Sequence, residues 1–201
     1  MENLDFKNKK FDLEKVKDDF CKFFRGSSIE EIDLNNIPKE AMTFFENHSE
    51  LLISSKDYKP GNFEFFFLIK HSNGDITYLA QQTKNYHEKV GIERLTYFWE
   101  TRNKENIGHG ELRYNISDKD EFFKNKPFVG FSETEKEFQK QGLGKRRLLL
   151  MNAYSQMLYQ LPLYSSDIIT PKAENIWVQL EGEGLAQKLI GENRKRYVMK
   201  F

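Results

Sequence analysis

The residues best suited by type and spacing to do chemistry lie in Gln139-Lys-Gln-Gly142-Leu-Gly144, between an apolar, β-prone stretch (Phe128, Val129, Phe131) and an unbroken helical pattern. A strand therefore feeds a glycine turn that opens a helix. The first backbone N–H groups of a helix have no intrahelical partner and sit at the positive end of its dipole, so phosphate oxygens can rest on them. Gly142 and Gly144 let the backbone come close, and Lys140, Lys145, Arg146 and Arg147 add positive charge around the same point. The chemistry implied is the binding of a pyrophosphate or a ribose phosphate. A P-loop would need glycine where Gln139 stands and a hydroxyl where Arg146 stands; a dinucleotide fingerprint would need a third glycine where Arg147 stands. Neither fits.

The segment resembles the acetyl-CoA loop of the GNAT N-acetyltransferase superfamily, in which Gln or Arg is followed at fixed spacing by Gly and then Gly or Ala, between that family's fourth strand and third helix. Gln139, Gly142 and Gly144 match, and Glu137-Phe138 resembles the acidic-aromatic pair often seen before them. The resemblance covers about Ile107 to Phe201. It implies an α/β fold of acetyltransferase type, a mixed, mostly antiparallel sheet flanked by helices with a splayed acyl-CoA site. It also implies acetyl-CoA, or a longer acyl-CoA, as cosubstrate. Thr134, Gln139, Lys140, Gln141, Gly142, Leu143, Gly144 and Lys145 then become the cosubstrate-binding residues, with Thr134 in the region whose backbone N–H contacts the thioester oxygen.

Acetyl transfer to an amine needs a deprotonated amine, a polarised thioester carbonyl and a proton for the departing thiolate. Glu133 and Glu135 on the strand and Glu111 on the preceding one are carboxylates that could relay the amine's proton, and only one of Glu133 and Glu135 is expected to face the site. Many members place a Tyr acid on their fourth helix, where this chain has Trp177, which cannot protonate a thiolate. The expected substitutes are Tyr164, Ser165 or Ser166, or bulk water; Trp177 itself reads as core. The expected site is thus Glu133, Glu111 and Tyr164 for catalysis. The acceptor is a protein lysine, an N-terminal amine or a small amine. The alternative is a non-catalytic CoA-binding or protein-interaction module on the same fold, which the missing Tyr favours. An RNA acceptor would need a basic face that the composition does not announce.

The elements that must position these groups can be read along the chain. With 201 residues, 18 of them Phe, one domain (1–201) with an aromatic core is expected, a helical N-terminal part over 1–60 and an acyl-CoA-binding part over 107–201. Lys+Arg and Asp+Glu both number 31, so nothing suggests general attraction to nucleic acid or an anionic membrane. No apolar run approaches a membrane span, the first residues hold no apolar signal core, and the single Cys21 cannot form an internal disulfide. A cytoplasmic, reducing setting is expected. His48, His71, His87 and His109 lack metal-ligand spacing, and no metal is expected.

Apolar spacing predicts a helix over Asp12 to Phe24, stopped at Gly26-Ser27-Ser28, and a second helix after Pro38. Leu51 to Ile53 reads as a short strand and Lys59-Pro60-Gly61 as a turn. Phe63 to Ile69 reads as a strand buried on both faces, with Asn73-Gly74 turning into Ile76 to Ala80. Lys84 to Val90 looks like a loop, followed by a strand over Ile92 to Trp99, a turn over Thr101 to Asn106 and a strand over Ile107 to Tyr114. In the latter, Gly108 and Gly110 suggest a bulge or a close backbone approach. Ser117 to Lys126 is a charged connection. After the glycine loop, Leu150, Tyr154, Met157, Leu158 and Leu161 make one helical face, and Pro162 to Tyr164 a short strand. Thr170 caps a helix with Pro171 at its first position, ended by Gly182 or Gly184, and Arg196 to Phe201 is the closing strand.

Overall fold

A computed structural model describes residues 18, 24, 26–47, 63–86, 91–115, 122–166, 168–189 and 196–200. Six strands form one antiparallel sheet in chain order: β1 (Ser28–Glu31), β2 (Phe65–Lys70), β3 (Ile76–Tyr86), β4 (Gly91–Arg102), β5 (Glu105–Asn115) and β6 (Pro127–Thr134). Helix α1 (Lys39–Asn47) lies between β1 and β2 in sequence. Helices α2 (Leu143–Tyr159) and α3 (Pro171–Gly182) follow β6, and a hairpin of β7 (Ala186–Leu189) and β8 (Arg196–Met199) closes the chain. This is the mixed α/β class, with a mostly antiparallel sheet flanked by helices.

The sheet carries a hydrophobic layer on each face. In β2, Phe67 and Ile69 join the larger cluster beneath α2 and α3, with Leu79, Phe98, Leu112, Leu150, Tyr154 and Trp177. Phe66 and Leu68 join Tyr78, Ala80, Leu95, Tyr97, Trp99 and Ala41 of α1 on the opposite face. A strand buried on both faces reads as a continuous apolar run, which is why Phe63 to Ile69 shows no alternation. Each buried Leu, Ile or Phe among them contributes about 1.5–3 kcal/mol by leaving water. Between β2 and β3 the turn closes through Gly74 at φ +86°, with its N–H donating to the His71 carbonyl.

Several expectations differ from the observed chain. β1 is a strand where Ser28 was read as part of a helix stop; its register with β2 (Ile29 against Ile69) buries only Ile29, so the SIEE stretch shows no apolar pattern. β3 runs on to Tyr86, past the start of the loop expected at Lys84, because it pairs continuously with β4 as far as Gly91. β4 and β5 turn over Asn103 and Lys104, both at positive φ, so the hairpin is tighter than a turn over Thr101 to Asn106. β7 begins two residues after Gly184 and has no counterpart among the expected elements; its burial pattern keeps only Ala186 inside. Thr170 caps α3 as expected, accepting a hydrogen bond from the Ala173 N–H at 3.3 Å, with Pro171 at the first position. The helix expected over Asp12 to Phe24 (Asp18 and Phe24 apart), Cys21, the strand at Leu51 to Ile53, the turn at Pro60, and His48 and His87 lie outside the described residues.

Candidate acyl-transfer site

The last strand of the sheet has two different edges along its length. At its start, the Val129 N–H donates to the Tyr164 carbonyl (3.0 Å) and the Tyr164 N–H to the Pro127 carbonyl (2.9 Å), a parallel bridge. The same segment hydrogen-bonds onward to β8, through Ser165 N to Tyr197 O and Met199 N to Leu163 O, both 2.9 Å. The expected short strand at Pro162 to Tyr164 is thus a single bridging residue. Beyond Val129 the only strand paired with β6 among the described residues is β5. The end of that pairing coincides with a bulge in β6. Leu112 faces Val129 and Glu111 faces Phe131, which leaves Gly130 as an extra residue, and such a bulge bends its strand and sharpens its twist.

Along the open part of β6, Glu135 N–H donates back to the Ile107 carbonyl of β5 at 3.2 Å. Strand alternation then turns the N–H groups of Ser132 and Thr134 to the other edge, into the gap. Past Thr134 a short 3-10 turn (Lys136–Phe138) leads into a loop with Lys140 and Gly142 both at positive φ, 64° and 77°. Gly142 is the N-cap of α2, and the first helical bond runs from Arg146 N to Gly142 O at 3.0 Å. The N–H groups of Leu143, Gly144 and Lys145 therefore have no partner within the helix. A Cβ on Gly144 would lie 4.0 Å from Thr134 Oγ1, so the open strand edge and the helix N-terminus adjoin. Thr134, Gln139, Lys140, Gln141, Gly142, Leu143, Gly144 and Lys145 are thus brought together at one end of the gap.

Their individual tasks differ from the sequence expectation in three respects. Gly144 keeps α3 close: its Cβ would lie 2.8 Å from Ile176 Cδ1, whereas a Cβ on Gly142 would meet nothing within 4 Å. Gln139 spans the loop, donating to the Thr134 carbonyl at 3.2 Å and accepting from Lys172 Nζ at 3.4 Å. Gln141 accepts from Arg102 Nη1 at 2.8 Å, and the Arg102 guanidinium lies 5.7 Å from the centre of the Phe138 ring.

The positive charge expected around the helix start is largely spoken for. Lys145 pairs with Glu183 at 2.5 Å. Arg146 pairs with Asp75 (2.6 Å) and Glu100 (2.8 Å), and Arg147, fully buried, donates from Nε to Glu100 at 2.7 Å. Arg147 Nη2 also lies 2.5 Å from the same carboxylate oxygen, outside hydrogen-bond geometry. Asp75 in turn holds Arg102 at 2.8 and 3.2 Å. Burial works to raise the Asp75 pKa, but hydrogen bonds from Arg102, Arg146 and Asn73 and the Arg146 charge outweigh it and hold the carboxyl well below its ordinary range. Asp75 and Glu100 are fully buried, so this network runs beneath the helix start rather than across its surface. Of the four basic residues, Lys140 is the exposed one with no ion pair among the described residues.

Glycines 108 and 110 explain how Arg147 reaches the sheet. A Cβ on Gly108 would collide with Arg147 Nη2 and lie 2.7 Å from the Glu133 carbonyl; one on Gly110 would lie 2.6 Å from Met151 Cε and 2.8 Å from Arg147 Cδ. The close approach expected at these glycines is thus made by side chains of α2. From there Arg147 Nη1 donates to Ser132 Oγ at 3.0 Å and reaches Thr134 Oγ1 at 3.5 Å.

The carboxylates lie on the opposite face of the sheet. Gly108 and Gly110 face α2, so His109 and Glu111 face away. Glu133, the register partner of His109, is exposed, while Glu111 is buried and forms a short ion pair with Arg113 Nε. Residues two apart on a strand share a face, so alternation does not separate Glu133 from Glu135. The strand ends at Thr134, and Glu135 accepts from Asn106 Nδ2 at 2.5 Å. Tyr164 is half-buried against Phe122 and Lys126 at the closed end of the gap, and burial raises its pKa. Ser165 is fully buried and accepts from the Tyr197 N–H at 2.9 Å; its hydroxyl donates to the Ser166 carbonyl at 3.3 Å and is committed. Trp177 is core, stacked on Tyr197 at 5.9 Å. Sequence reading overlooked Ser132 and Asp75. The Ser132–Thr134 pair of hydroxyls at strand spacing was the available signal for the first.

One consequence concerns pH. His71 is buried, contacts Thr77 Oγ1 at 2.8 Å, and its pKa falls from 6.5 to about 4, mainly by burial and then by the Arg146 charge, against the opposing effects of Glu100 and Asp75. Between these values the unfolded chain binds a proton that the folded one does not, so stability falls as pH falls through this window. Thermal melts should show a progressive loss, with an upper bound of about 3 kcal/mol for this group. His71→Gln should flatten that slope; an unchanged slope would remove His71 as its origin.

No family model matches the chain, and no curated protein matches it. Among solved structures, it is similar to a point mutant of the AtaT toxin bound to the C-terminus of the antitoxin AtaR and acetyl-CoA. The two share 12% identity over 87% of this chain and 92% of that one, with a TM-score of 0.31. Among the described residues no helix is long and apolar enough to cross a membrane, and no cluster of His, Cys, Asp or Glu could hold a metal ion.

Proposed function

We propose that this chain is an acyl-CoA-dependent N-acyltransferase, moving an acetyl or longer acyl group to an amine. The observation that carries this reading is the gap itself. β6 is bridged to the Tyr164 segment at Phe128, has no further partner on that edge among the described residues past Val129, where the Gly130 bulge follows, and leads to the N–H groups without an intrahelical partner at the start of α2. An extended acyl-pantetheine chain suits an unpaired strand edge, and a pyrophosphate suits the helix start.

In this reading Gly142 to Lys145 supply backbone donors to the phosphates, with Lys140 adding an exposed charge. The N–H groups of Ser132 and Thr134 face the gap, as donors to a carbonyl developing negative charge must. Glu133, exposed on the acceptor side of β6, takes the proton from the amine, and buried Glu111 with Arg113 shapes the floor beside it. The acceptor is a protein lysine, an N-terminal amine or a small amine.

The second reading is a non-catalytic CoA-binding or protein-interaction module, favoured by buried Trp177 where the resembled family has its acid. Thiol release from acetyl-CoA, with a panel of amines and whole lysate, separates the two. Turnover with any acceptor supports the transferase; binding without turnover supports the module.

A further inference from the structure

In the acyltransferase reading the departing sulfur needs a proton donor: Ser165 is committed, Trp177 cannot supply a proton, and Tyr164 sits at the bridged end of β6 against Phe122 and Lys126, which leaves the open stretch of β6 to supply one. We infer that Ser132 is the hydrogen-bond donor to the leaving sulfur, oriented by the buried guanidinium of Arg147. This rests on the proposed function and deepens it.

Arg147 fixes the orientation of the Ser132 hydroxyl. An arginine side chain carries donors only. Its Nη1 at 3.0 Å from Ser132 Oγ therefore makes that oxygen an acceptor, and the hydroxyl proton must point elsewhere. Ser132 is exposed on the unpaired part of β6, so elsewhere includes the gap. Thr134 shares the arrangement at a longer 3.5 Å and lies beside the helix start, which places Ser132 nearer the acyl end. Arg147 itself is fixed: it is fully buried, bonded to Glu100 on β4, and admitted only because residues 108 and 110 lack side chains. A positive charge behind the hydroxyl strengthens it as a donor to an anion.

The step balances without a further reactant. The amine nitrogen bonds the acyl carbon, and the carbon–sulfur bond breaks with its electron pair on sulfur. The Ser132 proton passes to sulfur and is replaced from water, while the proton lost by nitrogen leaves through Glu133 to solvent. Arg147 remains protonated throughout and is a positioning residue.

The test uses Ser132→Ala and Ser132→Thr, changes at an exposed residue that keep the buried Arg147–Glu100 pair; the alanine variant removes one acceptor of Arg147 Nη1 and the threonine variant retains it. Loss of a charge-assisted donor predicts a fall in kcat of roughly tenfold to a hundredfold for Ser132→Ala, with the KM for acetyl-CoA little changed. Ser132→Thr, which keeps the hydroxyl, should restore most of it. A second readout is independent of turnover. The thiol of bound CoA, followed by ultraviolet absorbance of the thiolate, should ionise about one pH unit higher in Ser132→Ala, a tenfold change in the equilibrium. An active wild type with Ser132→Ala unmoved in both kcat and thiol ionisation would overturn the assignment alone. A wild type that binds no CoA would overturn the acyltransferase reading and this assignment with it.

Discussion

Replacing Glu133 by Gln is expected to lower kcat/KM by about 10² to 10⁴-fold, the usual cost of removing a general base. Of the three carboxylates near the open strand, it is the exposed one on the face that the proposed function assigns to the acceptor. Glu111 is buried with Arg113, and Glu135 is engaged by Asn106. A base must exchange its proton with solvent between turnovers, which exposure permits. The acid limb of the pH–kcat/KM profile should flatten in Glu133→Gln while acetyl-CoA affinity stays near wild type, because the substitution lies across the sheet from the helix start. The same profile should persist in Glu135→Gln. If all three carboxylate variants kept the wild-type acid limb, the amine would lose its proton to water and no side chain here would be the base.

Glu100→Gln is expected to cost about 3–5 kcal/mol of stability, because it leaves the Arg147 charge buried without its carboxylate. Both side chains are fully buried, and Arg146 loses a partner in the same change. For a chain of this size that corresponds to a fall in Tm of about 6–20 °C. Lys145→Ala, breaking a partly exposed pair with Glu183, is the internal comparison and should cost about 1 kcal/mol or less. The network also joins β4 to the open end of β6, so the Glu100 variant should lose kcat as well as stability. A Glu100→Gln protein as stable as Lys145→Ala would mean that Arg147 finds compensation outside the bonds described.

The strand, glycine turn and helix at Phe128 to Leu161 were legible because their signals are local: apolar alternation, two glycines and a 3.6-residue repeat. The buried β2 strand was legible for a similar reason, since Phe66 to Ile69 face two cores at once. What escaped is non-local. β1 and β7 are held by partners distant in sequence and bury one residue each, so composition says little about them. Arg146 and Arg147 read as surface charge for a phosphate, because nothing in the sequence announces that Asp75 and Glu100 will lie beneath them. Gly144 was recognised for reasons of space, and the space its missing side chain leaves is taken by α3. Its Cβ direction points at Ile176, while Gly142 faces open surroundings at a left-handed φ. The bulge at Gly130 is set by the register of β5 against β6 and could only be seen once both strands were paired.

That distinction between the two glycines selects the decisive measurement. Aspartate tolerates a left-handed backbone better than most residues, and a carboxylate at a helix start is favourable to the fold. At position 142 its charge would stand among the N–H groups assigned to phosphate. Calorimetric titration of acetyl-CoA into wild type and Gly142→Asp, with circular dichroism and melting to verify the fold, tests the account directly. The account predicts saturable binding to wild type and at least about a tenfold loss, roughly 1.4 kcal/mol, in a folded Gly142→Asp protein. A folded Gly142→Asp protein that binds acetyl-CoA as tightly as wild type, or a wild type that binds none, would contradict it.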